Sequence, residues 1–191
     1  MGTPILDRRV LIGAGLGLPI AMALPGAAAS GEPTPELHAR LAPLRRFIGQ
    51  WRGEGDGQPG QSSVERSYTV VLDGRFIFVR NLSIYAPQER NRTGERHEDQ
   101  GFYSFDRARG RAVLRQFHVE SFFAQYVAAT ATLDGPEIVF NCEAVENIPA
   151  GFRARETYRF SGPDAFEEIF ETADPGGDFE VYSHNRLRRV V

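Results

Sequence analysis

The sequence predicts an all-β fold: an up-and-down antiparallel barrel of about ten strands behind one short N-terminal helix. Three observations predict it. After Gly49 the chain breaks into short runs rich in Val, Ile, Phe, Tyr and Thr, the composition that suits a pleated, half-buried surface. Turn-forming clusters separate the runs, among them Asp73-Gly74, Asp134-Gly135-Pro136, Ser161-Gly162-Pro163-Asp164 and Asp174-Pro175-Gly176-Gly177-Asp178. These residues supply the positive or fixed φ that tight turns require. The links are short, so each strand returns beside its predecessor, and closing such a meander removes its exposed edges.

Taken in order, the chain opens on a segment set apart from the barrel. Asp7-Arg8-Arg9 precedes an apolar run from Val10 to Leu24, and Ala27-Ala28-Ala29 follows. Charge, apolar run and small residues in that order are the pattern of a secretory signal. The Arg8-Arg9 pair, with a run diluted by Gly13, Gly15 and Gly17, points to the twin-arginine route. The run is shorter than the ~20 residues a membrane span needs. The expectation is a signal peptide over 1–29 and a periplasmic or secreted mature protein with no integral membrane span.

Residues 30–48 read as a linker and a short helix. Thr34 is placed to cap it and Pro35 to occupy its first position. Leu37, Leu41, Leu44 and Ile48 recur at helical spacing beside Phe47, and Pro43 should break or kink the segment. Residues 49–191 form the barrel domain. Its ten runs begin with Gln50–Gly55 and end with Phe179–Arg188, and include Glu98–Phe105, Arg111–Val119, Phe123–Leu133, Arg153–Phe160 and Ala165–Thr172.

Composition excludes several functions. The formal net charge is -3 and the charges are dispersed, without the clustered basic face that nucleic-acid binding wants. Every basic residue is Arg, so Schiff-base and lysine-nucleophile chemistry are excluded. Cys142 is the single cysteine, which rules out an intrachain disulfide and any Cys-Cys zinc spacing. It alternates with Ile138, Phe140 and Ala144 and reads as core. His97, Glu98 and Asp99 fall at the end of the polar stretch Gln88–Asp99, which reads as a surface loop, and no metal site is assigned. His118 and Glu120 have the spacing of a general base and its orienter. No nucleophile elbow accompanies them, so they read as a solvated pair and no catalytic residue is assigned.

Two motifs frame the barrel. Gly49-Gln50-Trp51 heads the first strand, and Leu187-Arg188-Arg189 closes the last. In a closed barrel these strands are neighbours, so Arg188 or Arg189 can lie across the Trp51 ring, a contact worth roughly 0.5–2 kcal/mol. Trp51, Arg188 and Arg189 are the expected closure residues. This pairing resembles the calycin pattern shared by lipocalins and fatty-acid-binding proteins. Pro43-Leu44 followed by Phe47-Ile48-Gly49-Gln50-Trp51-Arg52-Gly53-Glu54-Gly55 is similar to the opening of the nitrobindin-like, haem-binding β-barrel family. That family also ends on a Leu-Arg-Arg-like close. Leu72–Phe76, Arg115–Glu120 and Glu146–Glu156 resemble stretches of related bacterial barrels, so the likeness covers most of residues 43–189. The resemblance implies a calycin-type barrel and haem as a candidate cofactor. The family's proximal His lies five residues before the closing Leu, where this chain has Tyr182, with His184 two residues later. Tyr182 and His184 are therefore the haem-ligand candidates.

Charges on apolar faces mark a candidate ligand site. Arg115 alternates with Val113, Phe117 and Val119; Glu156 with Ala154, Tyr158 and Phe160; Glu168 with Phe166 and Phe170. A buried unpaired charge costs several kcal/mol, so each should be paired, hydrated or turned to a ligand. Arg115, Glu156, Tyr158 and Glu168 are the ligand-binding candidates. The resemblance to fatty-acid-binding proteins implies that an interior Arg and Tyr take an acidic headgroup. The expected function is an exported β-barrel that binds a small, mostly apolar molecule. The alternatives are a haem protein of nitrobindin type and a calycin-fold isomerase or lyase, the latter favoured if His118 enters a buried pocket.

Overall fold

The computed structural model describes residues 35–191. The expected signal segment 1–29 and the Thr34 cap lie outside the described residues. The N-terminal helix begins later than Pro35 and is of the 3₁₀ kind, spanning Ala39–Phe47. His38 caps it, its Nδ1 accepting from the Arg40 backbone N–H at 3.2 Å. Pro43 lies inside; it has no N–H to donate, and its ring would strike the carbonyl four residues back in an α-helix. The tighter helix brings residues three apart into register. Leu41, Leu44 and Phe47 have that spacing, and all three are fully buried.

Ten strands follow, one for each expected run: β1 (Gly49–Gly57), β2 (Ser62–Val71), β3 (Phe76–Tyr85), β4 (Glu95–Asp106), β5 (Arg111–His118), β6 (Phe123–Ala128), β7 (Glu137–Glu146), β8 (Arg153–Gly162), β9 (Ala165–Ala173) and β10 (Glu180–Arg189). Each pairs antiparallel with its neighbour, and β1 pairs with β10 to close the barrel. Boundaries depart from expectation by more than two residues at two places. β6 stops at Ala128 rather than Leu133. β4 starts at Glu95, so His97 lies in a strand and not in a loop, with Ser83↔His97 and Ile84↔Arg96 in register. Polar composition suggested a loop there, but β3 offers a row of backbone partners that a paired strand satisfies.

The β1–β10 seam is tight. A Cβ on Gly53 would come within 1.8 Å of the Arg186 carbonyl oxygen, so only glycine allows this approach. Gly49, at φ 122°, turns the chain from the helix into β1. Trp51 is buried and its Nε1 donates to the Phe47 carbonyl at 2.7 Å. The Arg189 guanidinium lies 4.2 Å from the Trp51 ring centroid, and it donates to the carbonyls of Arg46, Ile48 and Pro163 and to Asp164. Arg188 takes no part. It is registered against Arg52 and is exposed, because alternation turns it outward when Arg189 turns in.

The interior has two halves. Beneath the helix, Phe47 meets Tyr68, Tyr103, Tyr158, Phe160 and Phe166 at centroid distances of 4.9–6.0 Å. Their offset and edge-on contacts are the geometry aromatic rings favour. Together with Trp51 and Phe140 they fill this end. A ten-stranded barrel is wider than the eight-stranded kind that side chains can fill completely, and the opposite half is open. Among the described residues no helix is long and apolar enough to cross a membrane.

Candidate functional site: the open half of the barrel

The open half encloses a cavity of about 550 Å³. Part of its wall is apolar, with Phe122, Tyr126, Phe152 and Phe170 among the lining residues, and the rest is a layer of polar groups. The first group links β2, β9 and β10. Glu168 accepts from Arg66 Nε at 3.0 Å and Nη2 at 2.6 Å, and from Asn185 Nδ2 at 2.8 Å. Arg66 also donates to the carbonyls of Glu65 and Leu82. Burial pushes the Arg66 guanidinium down, but Glu168 outweighs that and holds it above its ordinary value. A two-toothed Arg–carboxylate pair with its remaining donors satisfied is the arrangement in which a buried ion pair is tolerated.

The second group spans β3, β4 and β5. Asp99 Oδ1 accepts from Asn81 Nδ2 at 2.9 Å and from Gln116 Nε2 at 2.8 Å. Both amide NH₂ groups are thereby turned to Asp99, which sets the orientation of the two side chains. Their carbonyl oxygens, Asn81 Oδ1 and Gln116 Oε1, are buried without a partner. Glu156, on β8, is the third element of the layer. Its Oε2 is also buried without a partner. Burial, then the neighbouring carboxylates Glu168 and Asp99, raise its pKa well above the usual range, against the opposing pull of Arg66. Burial thus favours the protonated form of Glu156, which can donate or accept.

A third cluster sits at the mouth. His97 Nδ1 lies 2.7 Å from Glu120 Oε1, and its Nε2 lies 3.7 Å from Asp99 Oδ2. Burial lowers the His97 pKa, but hydrogen bonds to Asp99 and Glu120 outweigh it and bring it up to about 9. His118 stacks on Phe122 with centroids 3.9 Å apart and planes 10° from parallel. Burial lowers its pKa, and both ring nitrogens are buried without a partner.

The expected site residues divide by face and by depth. Glu156 and Glu168 line the cavity. Tyr158 points inward but lies deeper, in the aromatic floor, where it accepts from the Tyr103 hydroxyl at 3.0 Å. Arg115 is on the outer wall, hydrogen-bonded to Ser104 Oγ at 3.1 Å. Its alternation mates Phe117 and Val119 are exposed, while Leu114 and Gln116 are buried inside. The apolar face of β5 is thus its outer face in this half, because the inner face serves a polar cavity. His118 and Glu120, expected as a solvated pair, consequently line the cavity, as do His97 and Cys142. Arg66 and Asn81 were not singled out in the sequence, and Asp99 only as the end of a stretch read as a surface loop. Arg66 carries the same signal as Glu156, a charge alternating with Val64, Tyr68 and Val70. Asn81 and Asp99 carry no comparable one.

The fold parts the two residues carried over for haem. A register shift between Val181 and Ser183 separates Tyr182 from His184. Tyr182 reaches the cavity rim, edge-on to Phe170 at 5.8 Å. His184 faces outward with Arg186 and Glu167, since Asn185 and Leu187 are the inward residues. It cannot ligate an iron inside the barrel.

No family model matches the chain, and neither does any curated protein. Among solved structures it is similar to the crystal structure of Rv2717c from M. tuberculosis, with a TM-score of 0.61 and 17% identity over 82% of this chain and 100% of that one. A redesigned β-barrel matches with a TM-score of 0.40 and 9% identity, over 76% of this chain and 93% of that one. A designed fluorescence-activating barrel matches with a TM-score of 0.39 and 11% identity, over 76% and 94%. The likeness to Rv2717c supports the barrel fold and no more. The two designed barrels are too distant to bear on function.

Proposed function

We propose that the protein is an exported binding protein that holds one small, largely apolar molecule in the open half of the barrel. The observation that carries this reading is the cavity itself. Its volume of about 550 Å³ falls within the ~300–1,000 Å³ of small-molecule sites, which combine apolar walls with a few convergent polar groups. Five polar atoms of its lining residues, Asn81 Oδ1, Gln116 Oε1, Glu156 Oε2 and both ring nitrogens of His118, are buried and unpaired. An unmet buried group is costly, and a ligand that meets it recovers that loss.

The chemistry of these groups argues for a ligand bearing O–H or N–H donors rather than an acidic headgroup. Two of the five free atoms are amide carbonyl oxygens, which only accept, and the Glu156 carboxyl and a neutral imidazole can each accept as well. Arg66, the one guanidinium lining the cavity among the described residues, is already taken up by Glu168. Eight carboxyl side chains line the same cavity, so an added carboxylate would meet like charge. Native mass spectrometry of protein purified from its own periplasm tests the reading. The expected result is one bound small molecule with hydroxyl, amine or amide groups, lost from a variant whose cavity is filled, Ala124→Phe. Protein that emerges empty, or that carries haem, overturns it.

One observation favours a second reading, an isomerase or lyase. His118 stands in the cavity wall, and burial holds it neutral, the form that can take a proton from a bound molecule. Conversion of the captured ligand by the wild type but not by His118→Ala would establish that activity.

A further inference from the structure

Two histidines and a glutamate converge at the mouth for a structural reason. His97 and Asp99 alternate inward on β4, and Asp99 is registered against His118 on β5. The Val119 N–H donates to the Glu98 carbonyl at 2.9 Å, which extends that pairing into the turn and sets Glu120 beside His97. One ligand atom from each of His97, His118 and Glu120 lies within 4.8 Å of the others. Arg66 and Glu168, deeper in the same cavity, pair closely. Here the chain leaves both nitrogens of an imidazole buried with nothing to bond, although a neutral imidazole always carries one donor and one acceptor.

We propose that His97, His118 and Glu120 bind one divalent transition-metal ion at the mouth of the barrel. The donor set decides the class of ion. Two imidazoles and one carboxylate suit Zn²⁺, Co²⁺ or Fe²⁺, whereas Mg²⁺ and Ca²⁺ want oxygen alone. Zinc ligands stand ~2.0–2.2 Å from the ion, which places tetrahedral donors ~3.4 Å apart. His97 Nδ1 and Glu120 Oε1 stand at 2.7 Å and no two of the three donors are more than 4.8 Å apart, so the observed spacings reach to either side of that value. Asp99 sits behind His97 on its other nitrogen, the position from which a carboxylate orients a metal-bound histidine. The turn that carries Glu120 is braced: Ser121 adopts φ 68°, and Asn147 Nδ2 donates to its carbonyl at 2.8 Å. Glu95, Asp174, Asp178 and Glu180 also line this end and favour a cation. Three protein ligands leave a coordination position open toward the cavity. The site stands on its own residues and does not depend on the binding reading above.

Untagged protein stripped with chelator, then titrated with Zn²⁺ by calorimetry and with Co²⁺ by visible absorption, tests the proposal. The expected result is one ion per chain and a Co²⁺ spectrum of low coordination number. His97→Ala and His118→Ala should each weaken Zn²⁺ at least ~100-fold, and Glu120→Gln ~10-fold. His184→Ala, on the outer wall, should leave Zn²⁺ affinity unchanged. Thermal melts confirm that each variant is folded, and His118→Gln serves if His118→Ala is not. Wild-type protein that takes up no Zn²⁺ more tightly than ~0.1 mM overturns the site whatever the variants do. So does affinity that survives loss of both histidines.

Discussion

At the scale of single residues, the interior is governed by which groups are paired. Trp51 is buried, hydrogen-bonded through its Nε1 and covered by Arg189. Trp51→Ala should lower unfolding free energy by about 3–5 kcal/mol in denaturant titrations, while Arg188→Ala should fall within ~0.5 kcal/mol of wild type. A Trp51 loss below ~1 kcal/mol would remove it from barrel closure. Glu156 predicts a pH effect of definite sign. Its folded pKa is raised well above the ordinary 4.5 by burial, first of all. Below that ordinary value both folded and unfolded chains hold the proton, and its contribution to stability is intact. As pH rises, the unfolded chain releases the proton while the folded chain keeps it. Stability then falls by up to ~1.4 kcal/mol per pH unit until the raised pKa is reached. Glu156→Gln cannot titrate, so its stability relative to wild type should climb between pH 5 and 8. Parallel stability curves for the two proteins would show that Glu156 is ionised in the fold.

At the scale of elements, strands that are not neighbours are tied across the lumen. Arg66 on β2 reaches Glu168 on β9, both buried, and Asn185 on β10 joins them. Arg66→Met strands a carboxylate in the interior and should destabilise by ~3–5 kcal/mol. Adding Glu168→Gln should recover much of that loss, because the charge that lacked a partner is gone. Additive losses in the double variant would mean the two side chains are held by their other contacts and not by each other. The same scale explains why face assignment on β5 came out reversed. Phe102, Phe117 and Val119 are exposed aromatic and aliphatic groups on the outer wall, and Phe117 packs against Phe123 at 5.1 Å. An alternation rule that sends apolar residues inward therefore sends Arg115 inward too, whereas the register against β4 and β6 places it outside.

For the whole molecule, closure and asymmetry are the governing facts. The helix and its aromatic cluster occupy one end, so a ligand has only the other end to enter. Export remains a proposal resting on residues 1–29. It predicts that N-terminal sequencing of periplasmic protein starts at or near Ser30; full-length protein retained in the membrane fraction would replace the signal with an anchor.

Local sequence was enough to determine the all-β class, the number of strands and the two motifs that meet at the seam. Strand composition, turn chemistry and the Gly49–Trp51 opening are all properties of short stretches. The same stretches also marked Glu156 and Glu168 as charges needing an explanation. Which face of β5 looks inward, that Tyr158 belongs to the floor, that a bulge parts Tyr182 from His184, and that His97 meets His118 and Glu120 were decided by tertiary structure alone. Each depends on register between strands, and in a strand a shift of one residue exchanges inside for outside. Polar residues lining a cavity and polar residues facing water leave the same pattern in the sequence, and only the closed barrel tells them apart.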